Sequence, residues 1–315
     1  MRLLQLTDLH LHVDTPYANK IRAAHPGVLT LELVIQQLKT QQHNRGLDCV
    51  ILTGDNVDTD DGEGPTAFTV LQGIIDSNFD CPVRAVPGNH DSRELVKRAF
   101  PSAASSPLPS SSDYASFAEV VDGVLVVGVD TQDDAATRQR RGAEPLPGPY
   151  AGSGGAFEES QERWLRAVLE QHADLPALLL MHHPPLAAIP GGEPGHKFQE
   201  PGGLFESDGR LRLLEVVAEH ATQIKAVVCG HIHAELIGKH SVTLPGGVPL
   251  LATPATSATQ NDLSGPGPEL KWFTDGLPHA MPGCRIIEVL PETGELLTHV
   301  IRVPVLPPPV TAASL

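Results

Sequence analysis

Five short blocks in this 315-residue chain place acids, amides or imidazoles directly behind a run of apolar, β-prone residues. They are Asp8/His10, Gly54/Asp55, Gly88/Asn89/His90/Asp91, His182/His183 and Gly230/His231/Ile232/His233. The runs before them, residues 2–7, 49–53, 83–86, 177–181 and 226–229, are rich in Leu, Val or Ile and stop at polar residues or Gly. That pattern predicts short buried strands. Residues so far apart in sequence share a site only if the fold gathers them, and strand ends do this, because open α/β sheets bind ligands beyond their carboxyl ends. Five strands pointing the same way bring all five blocks to one rim.

Between these strands lie apolar stripes at helical spacing: Leu31, Val34, Ile35 and Leu38; Phe68, Leu71, Ile74 and Ile75; Trp164, Leu165, Val168 and Leu169; Leu211, Leu214 and Val217. Ser160 is placed to cap the third helix and Gly46 to end the first. Further strand patterns at residues 124–129, 248–253, 284–290 and 297–303 are too many for one small sheet.

Two blocks repeat one spacing. Asp8 and His10, like His231 and His233, lie two residues apart, and an extended chain puts such side chains on one face. Asp55 offers a carboxylate able to bridge two cations, Asn89 a neutral carbonyl oxygen, and His182 an imidazole. Mixed oxygen and nitrogen donors without thiolate favour Zn, Mn or Fe over an iron–sulfur cluster or an all-oxygen calcium cage.

The ordered set TDLH, TGDN, GNHD, MHHPP and GHIH resembles the calcineurin-like metallophosphoesterase superfamily, whose pattern is D-x-H, G-D, G-N-H-[DE], a later His, and G-H-x-H. The resemblance runs from Asp8 to His233. It implies an α/β fold of two facing mixed β-sheets flanked by α-helices. It further implies two metal ions, one held by Asp8, His10, Asp55 and His233, the other by Asp55, Asn89, His182 and His231, with Asp55 as the bridge. His182 is preferred to His183 because the family's ligand similarly precedes a Pro by two residues, here Pro184; His183 is the fallback. Such a cation pair lowers the pKa of a water between the ions and screens an anionic phosphate. His90 is implied on the substrate side, stabilising the transition state or protonating the leaving oxygen, with Asp91 as its orienting partner.

Within the superfamily the chain looks most like class III cyclic nucleotide phosphodiesterases and their glycerophosphodiesterase relatives. Thr253, Pro254, Thr256 and Ser257 resemble the stretch that follows G-H-x-H in those enzymes. The implied activity is hydrolysis of a small phosphodiester, preferably a 3′,5′-cyclic nucleotide, with a glycerophosphodiester or phosphomonoester as the alternative. A metal-free interaction scaffold is the reading of a different class; ligand loss distinguishes it, and none of the seven ligand positions is lost. No G-x-S-x-G elbow supports a serine hydrolase.

The net charge of −16 disfavours nucleic-acid polymers, which need an extended basic surface. No apolar stretch reaches membrane-spanning length, so no membrane partner is expected. The opening MRLLQLTDLH reaches site residues at once, leaving no room for a cleaved signal, and a cytoplasmic location is the default. Cys49, Cys81, Cys229 and Cys284 are widely spaced and read as buried thiols. Arg138, Arg140 and Arg141 read as a solvated loop cluster. Loops are expected over residues 102–112, 138–155 and 186–203, the last with His196 and Lys197 as candidate phosphate contacts. Residues 1–303 are expected to form one domain and 304–315 a Pro-rich extended tail.

Overall fold

The computed structural model describes residues 1–11, 27–57, 64–101, 114–143, 154–190, 204–236, 241–256 and 282–302. The segment 102–112, His196, Lys197, Ser257 and the tail from 304 lie outside these residues.

In chain order the elements are β1 (Arg2–Leu6), α1 (Gly27–Thr40), β2 (Cys49–Thr53), α2 (Gly64–Asp76), β3 (Val83–Val86), α3 (Arg93–Ala99), β4 (Phe117–Val121), β5 (Val124–Gly128), α4 (Ala135–Arg140), α5 (Glu159–Gln171), β6 (Ala177–Leu180), α6 (Ser207–Glu219), β7 (Ile224–Cys229), β8 (Val242–Thr243), β9 (Pro249–Ala252), β10 (Gly283–Val289) and β11 (Leu296–Arg302). One sheet runs β11-β10-β1-β2-β3, the other β4-β5-β6-β7-β9-β8. Both are mixed. β1, β2 and β3 are parallel, with β10 antiparallel to β1. In the second sheet β5, β6, β7 and β9 are parallel, with β4 and β8 antiparallel at its edges.

The five strands that precede the polar blocks are therefore divided between two sheets. Alternation along each strand explains how the sheets stack. Leu3, Ile51 and Val86 of the first sheet meet Val126, Leu178, Leu180 and Val228 of the second in a shared apolar layer. Their neighbours point outward: Leu4, Leu6, Val50 and Leu52 pack on Leu31, Val34, Leu38, Phe68, Leu71 and Val96 of α1, α2 and α3. Leu125, Val127, Leu179 and Val227 pack on Trp164, Leu165, Leu169, Leu213 and Val216 of α5 and α6. Helices thus cover the outer face of each sheet, making four layers. Strands buried on both faces need apolar residues throughout, which is why they read as unbroken runs.

Several local expectations differ from the structure. Leu211 is 58% exposed; of the expected stripe Val217 is buried and Leu214 packs partly buried on the core, with Leu213 and Val216 buried beside them, so the stripe is rotated away from Leu211. Glu158, not Ser160, caps α5: it forms a reciprocal capping box with Gln161, while the Ser160 hydroxyl lies 3.1 Å from that of Tyr114. Helix α1 stops at Thr40, before Gly46, because Gln42 takes a left-handed φ of 59° and the His43 amide returns to the Leu38 carbonyl at 2.8 Å. The arginine cluster lies on and just after α4 and is paired with acids. Arg138 and Arg141 share Asp133, Arg141 also meets Glu206, and Arg140 reaches Glu158. All four cysteines are free thiols, with Cys49, Cys229 and Cys284 buried and Cys81 partly so. Among the described residues, no helix is long and apolar enough to cross a membrane.

Candidate metal centre

Each block leaves the carboxyl end of its strand and is tied to a block from another strand. The Asp8 amide donates to Gly54 O at 3.0 Å, His10 N to Asp55 O at 2.9 Å, and Gly230 N to His182 O at 3.1 Å. The two sheets are joined here as well. The Asp8 carboxylate accepts from the His231 amide at 3.1 Å, and Thr53 O lies 2.8 Å from His182 Nδ1. Beneath them, Gln5 donates to Thr53 Oγ1 and to Cys229 O and accepts from Thr253, whose hydroxyl also accepts from buried Arg285. Thr256 Oγ1 accepts from the Thr7 amide at 3.0 Å, so Thr253 and Thr256 both serve the scaffold of the site.

The side chains converge by a route different from strand alternation. Asp8, His10, Asp55, His231 and His233 have φ of 52°, 42°, 48°, 70° and 57°. These are left-handed conformations, which cost non-glycine residues energy but are least costly for Asn, Asp and His, and they cluster at functional sites. The turns bring both members of each pair to the same site while Leu9 and Ile232 between them are buried in the outer apolar layers. Gly54 has φ 93°, and a Cβ there would lie 2.5 Å from His182 Nδ1. At Gly230 a Cβ would meet Thr7 Oγ1 at 2.0 Å and Asp8 Oδ2 at 2.5 Å. Both glycines let the blocks close on one another.

Asp8, His10, Asp55 and His233 each offer a ligand atom, and these atoms all lie within 4.8 Å of one another. His233 Nε2 is 3.2 Å from Asp8 Oδ1, and His10 Nε2 is 3.2 Å from His233 Nε2 and 3.6 Å from Asp55 Oδ2. On the other side, His182 Nε2 lies 3.3 Å from Asn89 Oδ1, 3.2 Å from His231 Nδ1 and 3.4 Å from the same Asp55 Oδ2. All seven expected ligand residues are thus in one place, with Asp55 Oδ2 facing both groups. His183 also approaches His182 and His231, but its Nδ1 lies 2.9 Å from Thr131 Oγ1. His90 is held by its amide on Asp55 Oδ1 at 2.9 Å, and its ring stands edge-on to His10 with centroids 4.8 Å apart.

The donor set suits cations. Imidazole nitrogens facing one another at 3.2 Å share at most one proton per pair, and a cation between such nitrogens and the carboxylates satisfies them together. Burial opposes ionisation of Asp55, yet His182, His90 and His10 hold its carboxyl well below the usual range. Burial likewise opposes charge on His182, but Asp55 and Asp8 outweigh it and push its pKa up to about 9. The metal-free protein therefore gains stability from charged His182 below its unfolded value near 6.5 and loses it as pH rises through about 9. Thermal unfolding in chelator is expected to show a lower Tm at pH 9 than at pH 6.5, with the difference reduced in His182→Gln; equal slopes in both proteins would contradict it.

Asp91 does not orient the His90 ring. Its carboxylate accepts from the backbone amides of Asn56, Val57 and Gly88 and from Asn56 Nδ2, bracing the turns that carry Asp55 and Asn89. The end of β5 also belongs to the site, although none of its residues was singled out from sequence. There Thr131 lies against His183 and Gln132 donates to the turn of Gly88 and Asp91, while Asp130 accepts from the backbone amide of Gln132. Polar residues behind an apolar run marked this sixth strand end as clearly as the other five.

The sequence matches the family model for calcineurin-like phosphoesterases over residues 1–235. The chain belongs to this family. It is a metal-dependent phosphoester hydrolase of a family that uses a dinuclear metal site. Among similar proteins, the 3′,5′-cyclic adenosine monophosphate phosphodiesterase CpdA of Escherichia coli is 28% identical over 96% of this chain and 90% of its own. A probable glycerophosphodiester phosphodiesterase of Arcobacter nitrofigilis is 27% identical over 74% of this chain and 72% of its own. A cAMP/cGMP dual specificity phosphodiesterase of Mycobacterium tuberculosis is 25% identical over 85% and 71%. The fold of this metallophosphoesterase is similar to that of a dimetal phosphatase from Danio rerio, with a TM-score of 0.59, 14% identity and coverage of 94% and 98%.

Proposed function

We propose that this metallophosphoesterase hydrolyses small phosphodiesters, with a 3′,5′-cyclic nucleotide as the preferred substrate. In this reading Asp8, His10, Asp55 and His233 hold one metal ion and Asp55, Asn89, His182 and His231 the other, the ions being Fe, Mn or Zn. The observation that carries it is Asp55 Oδ2, 3.6 Å from His10 Nε2 on one side and 3.4 Å from His182 Nε2 on the other. Bound there, a metal pair supplies an activated water and charge to balance the phosphate. His90, fixed through its amide to Asp55, faces the leaving oxygen and gives it a proton as the P–O bond breaks. The full-length similarity to the cyclic adenosine monophosphate phosphodiesterase supports this substrate class, and the similarity to the glycerophosphodiester enzyme makes glycerophosphodiesters the second reading. Four free cysteines, three of them buried, suit a reducing cytoplasm.

The test is turnover of metal-stripped protein refilled with Mn, Zn or Fe on 3′,5′-cyclic AMP, 2′,3′-cyclic AMP, glycerophosphodiesters and p-nitrophenyl mono- and diesters. Cyclic AMP is expected to give the highest kcat/KM; turnover confined to the other esters would discard that substrate. His90→Ala is expected to lower kcat by roughly 100-fold or more while two metals remain bound. Loss of a metal in that variant would make His90 structural.

A further inference from the structure

We infer that Gln132 is a positioning residue that clamps the turn carrying Asn89 and His90. This rests on the roles proposed above for those two residues. The Gln132 side-chain nitrogen donates to Gly88 O at 2.9 Å and to Asp91 O at 2.6 Å, the carbonyls on either side of Asn89 and His90. Both partners are acceptors only, so the amide has one possible orientation. Gln132 is 7% exposed, and its Oε1 has no partner among the described residues, which leaves the nitrogen as the working end.

The turn depends on this support. Its own closing bond, Asp91 N to Gly88 O, is long at 3.3 Å, and the same carbonyl makes its shorter bond to Gln132. Gln132 is itself fixed. Its backbone N–H donates to Asp130 Oδ1 at 3.0 Å, and its backbone carbonyl accepts from Arg93 Nη2 at 3.2 Å. Arg93 opens α3 just after the turn and also pairs with Asp130. Turn, α3, Asp130 and Gln132 therefore form a closed ring of contacts. A side chain in such a ring can hold two groups in register with the rest of the site without touching substrate.

The test compares Gln132→Met with Gln223→Met. Methionine keeps length and removes both donors. Gln223 is a matched control: it is also buried and donates to two carbonyls, Leu169 O and His172 O, at the far end of α5. Because misplacing a reacting group by about 1 Å costs on the order of 100-fold, Gln132→Met is expected to lower kcat about 10- to 100-fold, with KM changed less than about threefold. Amide hydrogen exchange in a peptide spanning residues 86–92 is expected to speed up, while peptides over residues 2–9 and 226–234 keep their rates. Gln223→Met is expected to change neither kcat nor exchange in the turn. An unchanged kcat in Gln132→Met, or exchange raised evenly along the chain, overturns the clamp. Metal content and phosphodiester turnover of the wild type judge the function separately; if those fail, the exchange comparison still decides whether Gln132 holds the turn.

Discussion

Asp55→Ala is expected to reduce phosphodiester turnover by roughly 1,000-fold or more and to leave fewer than two metals per chain. Three contacts converge on this side chain. Oδ2 faces His10 and His182 from the two halves of the centre, and Oδ1 accepts the His90 amide. Its removal takes away the proposed bridge and the acceptor of the His90 amide, and leaves the imidazoles with Asp8 as the remaining carboxylate among the proposed ligands. Elemental analysis beside steady-state kinetics checks this, and Asp55→Asn separates the parts. Asn can still accept from the His90 amide but carries no charge, so it should recover stability more than metal binding. Two metals retained in Asp55→Ala would show that the bridge lies elsewhere.

Gly54→Ala carries the second large effect, this time on folding. At φ 93° an L side chain is strained, and the added methyl would sit 2.5 Å from His182 Nδ1 and 2.7 Å from the Gly88 amide. The second contact is backbone, so a rotamer change cannot relieve it. We expect a loss of about 3 kcal/mol or more in urea unfolding, from strain and steric conflict together. Gly73→Ala is the companion measurement. Gly73 lies within α2, where an added Cβ would meet nothing within 4 Å, and its replacement should stabilise by about 0.5–1 kcal/mol. Equal stability of wild type and Gly54→Ala would mean that the strand-end turns have room the structure does not show.

Much of this architecture was legible because it is encoded locally. A strand buried on both faces must be apolar along its length, so residues 49–53 coincide with β2, and the edge strand β3 was still found at 83–86 although it carries Arg84. Helices α3 and α4, of seven and six residues, are too short to display a stripe, and β8 has only two residues. Leu211 shows how a helical face is misjudged by a fraction of a turn when every third or fourth residue is apolar. At the site, the convergence of the seven expected ligand residues was readable from order and spacing, while the left-handed turns at five of them were not, because φ is set by the loops they must meet. Thr131 and Gln132 follow an apolar run as the other blocks do, but the run alone does not say what they touch. Their hydrogen bonds to Gly88, Asp91 and His183 join positions more than forty residues apart and leave no periodic trace.

The left-handed backbone at Asp8, His10, Asp55, His231 and His233 also constrains how such a protein can drift. Glycine and asparagine adopt that conformation easily, whereas β-branched residues resist it. A descendant released from catalysis would first accept Gly or Asn at these five places, and Val or Ile only after its loops had been rebuilt. The decay of the centre would thus follow the tolerance of the backbone before it followed the chemistry of the side chains.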